Sequence, residues 1–314
     1  MAPDPPGFFP PPRTTPPLSP PHRTTLILLH GRGLSAHTFG PDILSASFPP
    51  PPPIPNPSPT TTITTPPLAA AAAAAEPTTL PTLLPHTKHI FPLAPRHRAT
   101  IYKRSVIHQW FDSWHLDCGS GSDLDVKFGL RTDTEEWRAV DGLRDTVAHV
   151  HALVRTEAAA VGGPRNVVLG GLSQGCAAGL AATLLWDDGE EEALGGGDEG
   201  EDEDVEDGEG VLGVEARVVK VLREMLELEG GGRRVNSRPK AFDTPIFLGH
   251  GTEDDKVPVV RGRGAAECLR AAGMRVEWRE YNGLGHWYSA DMLTDIASFL
   301  ANQVGWELEN KVSS

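Results

Sequence analysis

Cysteine is scarce in this chain: three in 314 residues, Cys118, Cys176 and Cys268, with no C-x-x-C spacing. An odd, scattered set supplies neither a disulfide framework nor a zinc site, and reduced thiols in the cytoplasm are the expectation. Long apolar runs are missing as well. No stretch approaches the ~18 apolar residues of a membrane span, and the proline-broken N-terminus lacks the apolar core of a signal peptide. No transmembrane segment is expected, which leaves only transient contact with a membrane surface. A basic surplus is also absent. The net charge is −14, but 14 acidic and no basic residues fall between Asp187 and Glu209, leaving 28 acidic residues against 28 Lys and Arg elsewhere. A near-neutral folded part lacks the basic face that nucleic acid would require.

Proline and like charge are present in excess, but locally. Of 30 prolines, 24 lie within Met1–Pro85, and Ala69–Ala75 is a seven-alanine run. Such stretches bury too little apolar surface to offset chain entropy. The expected organisation is a disordered Pro-rich lead over 1–21 and a single α/β domain over 22–308, followed by a tail over 309–314. Low-complexity insertions at about 48–82 and 187–210 interrupt the domain.

The informative stretch is Gly170-Gly171-Leu172-Ser173-Gln174-Gly175, after the apolar run Val167-Val168-Leu169 and before a small-residue helix expected over Gln174–Trp186. This is a G-x-S-x-G elbow in the strand–turn–helix context that its chemistry needs. The glycines let strand and helix approach closely, the serine is lifted above the sheet, and the helix N-terminus offers N–H groups to a developing oxyanion. The Gln174 N–H would be one donor. Cys176, on the same helix, is expected to pack inward as a small apolar residue.

Other segments read as alternating strands and helices. Leu26–Leu29 is a short apolar strand ending in His30-Gly31-Arg32-Gly33, a loop whose Arg32 N–H would be the second oxyanion donor. His89-Ile90-Phe91 reads as another strand. Trp110, Phe111 and Trp114 cluster in a loop-like stretch that would either line an acyl pocket or anchor the loop in the core. Asp133 and Glu136 suggest a capping box, and Trp137, Val140, Leu143, Val147, Val150 and Val154 recur at helical spacing. His149 and His151, on that helix, are expected to face solvent. After the acidic tract, Val214 to Leu226 repeats apolar residues at three- and four-residue steps, giving a helix. Pro245–Gly249 and Arg275–Tyr281 read as strands, and about Ser289–Asn302 as the closing helix. The alternation implies a mainly parallel sheet flanked by helices, with ligands at the carboxyl ends of its strands.

Ser173, the acidic loop Glu253-Asp254-Asp255 and His286 then appear in the order nucleophile, acid, base, each after a strand. His286 would take the Ser173 proton on one ring nitrogen while a carboxylate on the other fixes its tautomer.

At these residues the chain resembles the acyl-protein thioesterase and carboxylesterase family of α/β-hydrolases, in a form similar to its fungal members. The matching segments are Leu28–Gly33, Leu83–Pro92, Trp110–Asp112, Gly170–Cys176, Phe247–Asp254 and Val276–Trp287. The resemblance implies an α/β-hydrolase fold and a hydrolase acting through an acyl-Ser173 intermediate, with His286 as base and no cofactor. Within the family's His-Gly-x-x-Asp pattern it selects Asp254 as the acid, Asp255 being the runner-up. Substrates would be acylated proteins or small acyl esters, with Trp110, Phe111 and Trp287 as substrate-binding candidates. Two departures stand out: the proline and alanine insertion replaces much of an early helix, and one family strand has no counterpart between Trp186 and Ala241. The rival reading is a non-catalytic relative whose acidic tract binds basic partners.

Overall fold

Alternate residues of the strand Thr24–Leu29 (β2) enter different cores, which makes it the axis of the molecule. Leu26 and Leu28 join one apolar cluster; Ile27 and Leu29 join another on the opposite face. That period-2 division is what a strand covered on both sides requires. The structure, a computed structural model, describes residues 2–52, 77–112, 142–186, 214–226 and 240–309.

On the first face lie helix Ala36–Ser45 (α1), the short helix Leu80–Leu83 (α2) and the closing helix Ala290–Phe299 (α7), through Phe39, Ile43, Leu83, Leu293 and Ala297. A π-type turn, Leu300–Val304, extends α7. On the second face lie Leu143–Val161 (α3) and Gln174–Leu184 (α4), through Val147, Val150, Val154, Ala178 and Ala182. The capping box, Trp137 and Val140 expected ahead of α3 lie outside the described residues, as do Trp114, Cys118, most of the proline and alanine insertion, and the acidic tract.

Thr87–Phe91 (β3) and Val167–Gly171 (β6) flank β2 in parallel, with Leu26 opposite His89 and Leu29 opposite Gly171. Arg96–Ala99 (β4) and Ser105–His108 (β5) form an antiparallel hairpin that the sequence pattern does not announce. The lead differs from expectation. Arg13–Thr15 (β1) pairs antiparallel with β3 as an edge strand, giving the order β1-β3-β2-β6. An edge strand needs ladder bonds on one side only, and Arg13-Thr14-Thr15 is a break in the prolines where N–H groups exist. Upstream, Asp4 accepts from the Arg96 backbone N–H at 2.8 Å and from its guanidinium at 2.9 Å, and Phe9 stacks on His149 at 4.1 Å. His149 is therefore covered rather than solvent-facing. His151 is buried too and donates from Nε2 to the Ala182 carbonyl at 2.8 Å.

Ile246–Gly251 (β7) and Val276–Tyr281 (β8) pair in parallel with each other, packed by Val259–Ala271 (α6). Among the described residues no ladder joins β6 to β7, and the only element between Trp186 and Ala241 other than the short turn at Lys240 is the helix Val214–Met225 (α5). The family strand that has no counterpart in the sequence is not found there among the described residues, and the two sheet pieces are joined by side chains: Cys176, Leu180 and Leu184 of α4 pack against Ile246, Leu248 and Val219.

Candidate active site

The β6–α4 junction is as tight as the sequence implies. A Cβ at Gly171 would stand 2.4 Å from the Gly175 carbonyl carbon, and one at Gly175 would stand 2.4 Å from Leu29 O. No other residue fits either position. Ser173 between them has φ 56° and ψ −119°, outside the regions that non-glycine residues favour, at a cost of roughly 1–3 kcal/mol. Although it is the N-cap of α4, its side chain makes no capping hydrogen bond. The hydroxyl is left for other work.

The loop after β2 lies against this elbow: a Cβ on Gly31 would be 3.5 Å from Ser173 Cβ and 3.6 Å from Leu172 O. Its shape is held by the buried His30. Ala94 N–H donates to His30 Nε2 at 3.1 Å, which places the ring proton on Nδ1, donated to Gly31 O at 2.8 Å. Burial drives the His30 pKa down to about 4 and His108 adds to this, against the Gly31 carbonyl, so the ring is neutral near pH 7. Gly33 N–H donates to His108 O at 2.8 Å, tying the loop to β5.

Gln174 has a second role that the motif alone does not reveal. Its buried Oε1 accepts the Trp110 N–H at 3.0 Å, and its Nε2 donates to Phe111 O at 2.7 Å. With the side chain held at both ends, the first residue of α4 is fixed. A buried polar side chain next to the nucleophile was the available signal. Trp110 is correspondingly a core anchor rather than a pocket wall: its ring is 0% exposed and its Nε1–H donates to His30 O at 2.7 Å. Phe111 packs half-buried on the α3–α4 cluster. Trp287, by contrast, is 38% exposed beside His286 and stacks on Tyr288.

The acid and base loops are knitted together at the carboxyl ends of β7 and β8. Thr252 N–H donates to Tyr281 O at 2.9 Å and Glu253 N–H to Leu284 O at 3.0 Å. A Cβ at Gly251 would fall 2.1 Å from Leu284 O, so the crossing depends on that glycine. In consequence His286 Nδ1 donates to Asp254 Oδ2 at 2.7 Å, which leaves the Nε2 lone pair to act as base. Burial pushes the Asp254 carboxyl up, but the N–H groups of Val257, His286 and Lys256 outweigh it and hold the pKa below its ordinary value. Asp255 is exposed and pairs with Lys256 at 3.0 Å, and Glu253 is exposed, so Asp254 is the acid that meets the histidine.

Ser173, Asp254 and His286 all follow strand carboxyl ends, but no hydrogen bond joins Ser173 to His286 among the described residues. The serine stands on the β1-β3-β2-β6 piece and the dyad on β7–β8. The described residues contain no group of three or more His, Cys, Asp or Glu placed to hold a metal, and no helix long and apolar enough to cross a membrane.

The sequence profile of the phospholipase/carboxylesterase family matches residues 69–188 and 233–304. The chain belongs to this family. Among phospholipase/carboxylesterase relatives, carboxylesterase SOBER1 of Arabidopsis thaliana is 30% identical over 70% of this chain and 79% of its own length. Acyl-protein thioesterase 1 of Gibberella zeae is 29% identical over 69% of this chain and 77% of its own. A probable carboxylesterase of Oryza sativa is 30% identical over 69% of this chain, which spans 66% of that relative. Another rice relative, 28% identical over 62% of this chain and 63% of its own length, is named a probable inactive carboxylesterase. In structure the chain is similar to Zea mays acyl-protein thioesterase 2, with a TM-score of 0.54, 20% identity and coverage of 94% and 99% of the two chains. The architecture is the α/β-hydrolase fold, and the names of family and relatives are those of phospholipases, carboxylesterases and acyl-protein thioesterases.

Proposed function

We propose that this phospholipase/carboxylesterase family member hydrolyses acyl esters and thioesters, as a carboxylesterase or acyl-protein thioesterase, through an acyl-serine intermediate. The observation that carries the reading is the 2.7 Å bond from His286 Nδ1 to Asp254 Oδ2 at the carboxyl ends of β7 and β8. His286 Nε2 takes the Ser173 proton as Oγ bonds to the acyl carbon, and the resulting oxyanion is held by the N–H groups of Arg32 and Gln174. Collapse breaks the bond to the leaving thiol or alcohol, which receives that proton from His286. Water then loses a proton to His286 and attacks the acyl-serine, and collapse releases the acid as Ser173 Oγ takes that proton back from His286.

The strained Ser173 backbone supports this assignment, since such strain is retained where it serves a site. The substrate class, an acylated protein or small acyl ester, rests on the relatives' names. Residence in the reducing cytoplasm, with lipidated proteins as targets for deacylation, accords with the free thiols of Cys176 and Cys268. A second reading is favoured by the absence of a Ser173–His286 hydrogen bond among the described residues: a non-catalytic hydrolase relative whose acidic tract recruits basic partners. A fluorophosphonate serine-hydrolase probe separates the two. Covalent labelling of the full chain, lost together with ester hydrolysis in Ser173→Ala, is expected; folded wild-type protein that remains unlabelled defeats the hydrolase reading.

A further inference from the structure

Asp254 does not serve His286 alone. Its Oδ1 accepts the N–H groups of Lys256 at 2.9 Å and Val257 at 2.8 Å. Its Oδ2 lies 2.7 Å from His286 Nδ1 and 3.2 Å from Nε2 of a second histidine, His250, on β7. The same His250 Nε2 is 2.8 Å from Val257 O. A carbonyl oxygen can only accept, so Nε2 carries the His250 proton and donates it to Val257 O, with Asp254 Oδ2 close by at 3.2 Å.

The ring has little freedom to do otherwise. A Cβ on Gly262 of α6 would lie 2.5 Å from His250 Nδ1 and 2.7 Å from the Trp278 ring, so α6 presses backbone against the imidazole where any other residue would collide. Trp278 lies on its flank, with ring centroids 6.1 Å apart. The charged groups around the pair are Lys256 on the acid loop, His286, and Glu280 of β8, which is held by Trp278 Nε1 at 2.9 Å and by Arg263 of α6.

We propose that His250 is a positioning residue for the Asp254–His286 dyad. Three N–H donors, from Lys256, Val257 and His286, hold the Asp254 carboxylate, and His250, bonded to Val257 O and 3.2 Å from Asp254 Oδ2, fastens the turn from Asp254 to Val257 to β7. It thereby orients Oδ2 toward His286 Nδ1 and keeps the base in its Nδ1–H tautomer. The inference rests on the hydrolytic reading of Ser173, Asp254 and His286, and it deepens that reading by naming what holds the acid.

The test is NMR of the imidazole groups in the wild-type chain, with steady-state hydrolysis of a soluble ester by His250→Phe and His250→Gln. Wild-type His250 is expected as the Nε2–H tautomer at neutral pH, with a strongly downfield His286 Nδ1–H proton. Loss of the bond that fastens the acid loop to β7 makes the expected effect of His250→Phe a kcat lower by about tenfold or more, with KM within about twofold. The downfield resonance should broaden or vanish with it. His250→Gln, which returns an N–H near the Nε2 position, is expected to restore both. A wild-type Nδ1–H tautomer of His250 overturns the proposal. So does a His250→Phe enzyme with unchanged kcat and resonance, or a folded His250→Gln no better than Phe. If His250→Phe does not fold, the wild-type tautomer decides. If wild-type Ser173 resists the fluorophosphonate, the hydrolytic reading falls while the tautomer and the downfield proton still decide His250.

Discussion

A Cβ added to Gly175 would stand 2.4 Å from the carbonyl oxygen of Leu29, so the first turn of α4 rests directly on the carboxyl end of β2. Because the overlap is with backbone, it cannot be relieved by a side-chain rotation. Gly175→Ala is expected to cost roughly 1–3 kcal/mol through overpacking, read as a lower urea midpoint, and to shift the elbow enough to abolish fluorophosphonate labelling. A variant with unchanged midpoint and labelling would mean that the junction is looser than this geometry.

The choice among three adjacent acids is testable by kinetics. Asp254→Asn is expected to lower kcat by up to ~10⁴ through loss of the correct His286 tautomer, with little change in KM. Asp255→Asn, which removes only an exposed pair with Lys256, is expected to stay within about twofold of wild type. Equal losses in the two would contradict the assignment.

Two buried histidines contribute to the loss of stability in acid. His30 and His89 both have pKa values lowered to about 4 by burial, against about 6.5 in an unfolded chain. Between those values the unfolded chain binds more protons than the native one, so stability is full above about pH 6.5 and falls as pH drops toward 4. Among the described residues neither ring nitrogen of His89 has a hydrogen-bond partner. His89→Leu therefore loses no hydrogen bond and is expected to flatten the decline, gaining stability over wild type at pH 5. Urea midpoints across pH 4.5–7.5 check this; a steeper decline in the variant would count against it.

The division of the sheet predicts a pattern of amide exchange. β2 is paired on both sides, whereas β6 and β7 each have one partner among the described residues. Uniformly slow exchange is expected along Thr25–Leu29, and alternating fast and slow amides along Val167–Gly171. The open edges also predict a modest thermal midpoint, no higher than the mesophilic range of ~45–65 °C. Uniform protection of β6 or a midpoint well above that range would show that its edge is covered.

The order strand, turn, small-residue helix around Ser173 was legible because three local requirements coincide there: an apolar run, glycines that admit backbone contact, and a serine between them. The acidic loop Glu253-Asp254-Asp255 and His286 were legible for a related reason, since each follows a strand in a glycine-bearing loop; the choice of Asp254 among the three acids came from the family resemblance. The sequence alone thus determined which residues could form a nucleophile, acid and base, and that they would stand at strand carboxyl ends. It did not disclose that Arg13–Thr15 would dock as an edge strand, because an edge needs only a few free N–H groups and leaves no periodic trace. Nor did it indicate that Gln174 would tether Trp110 and Phe111, or that His250 would bond to Val257 O beside the Asp254 oxygen that meets His286. Those contacts join residues by side chains whose directions depend on how α4, α6 and the β7–β8 pair pack. Only the tertiary structure decided them, because a hydrogen bond is set by distance and angle in space, and spacing along the chain specifies neither.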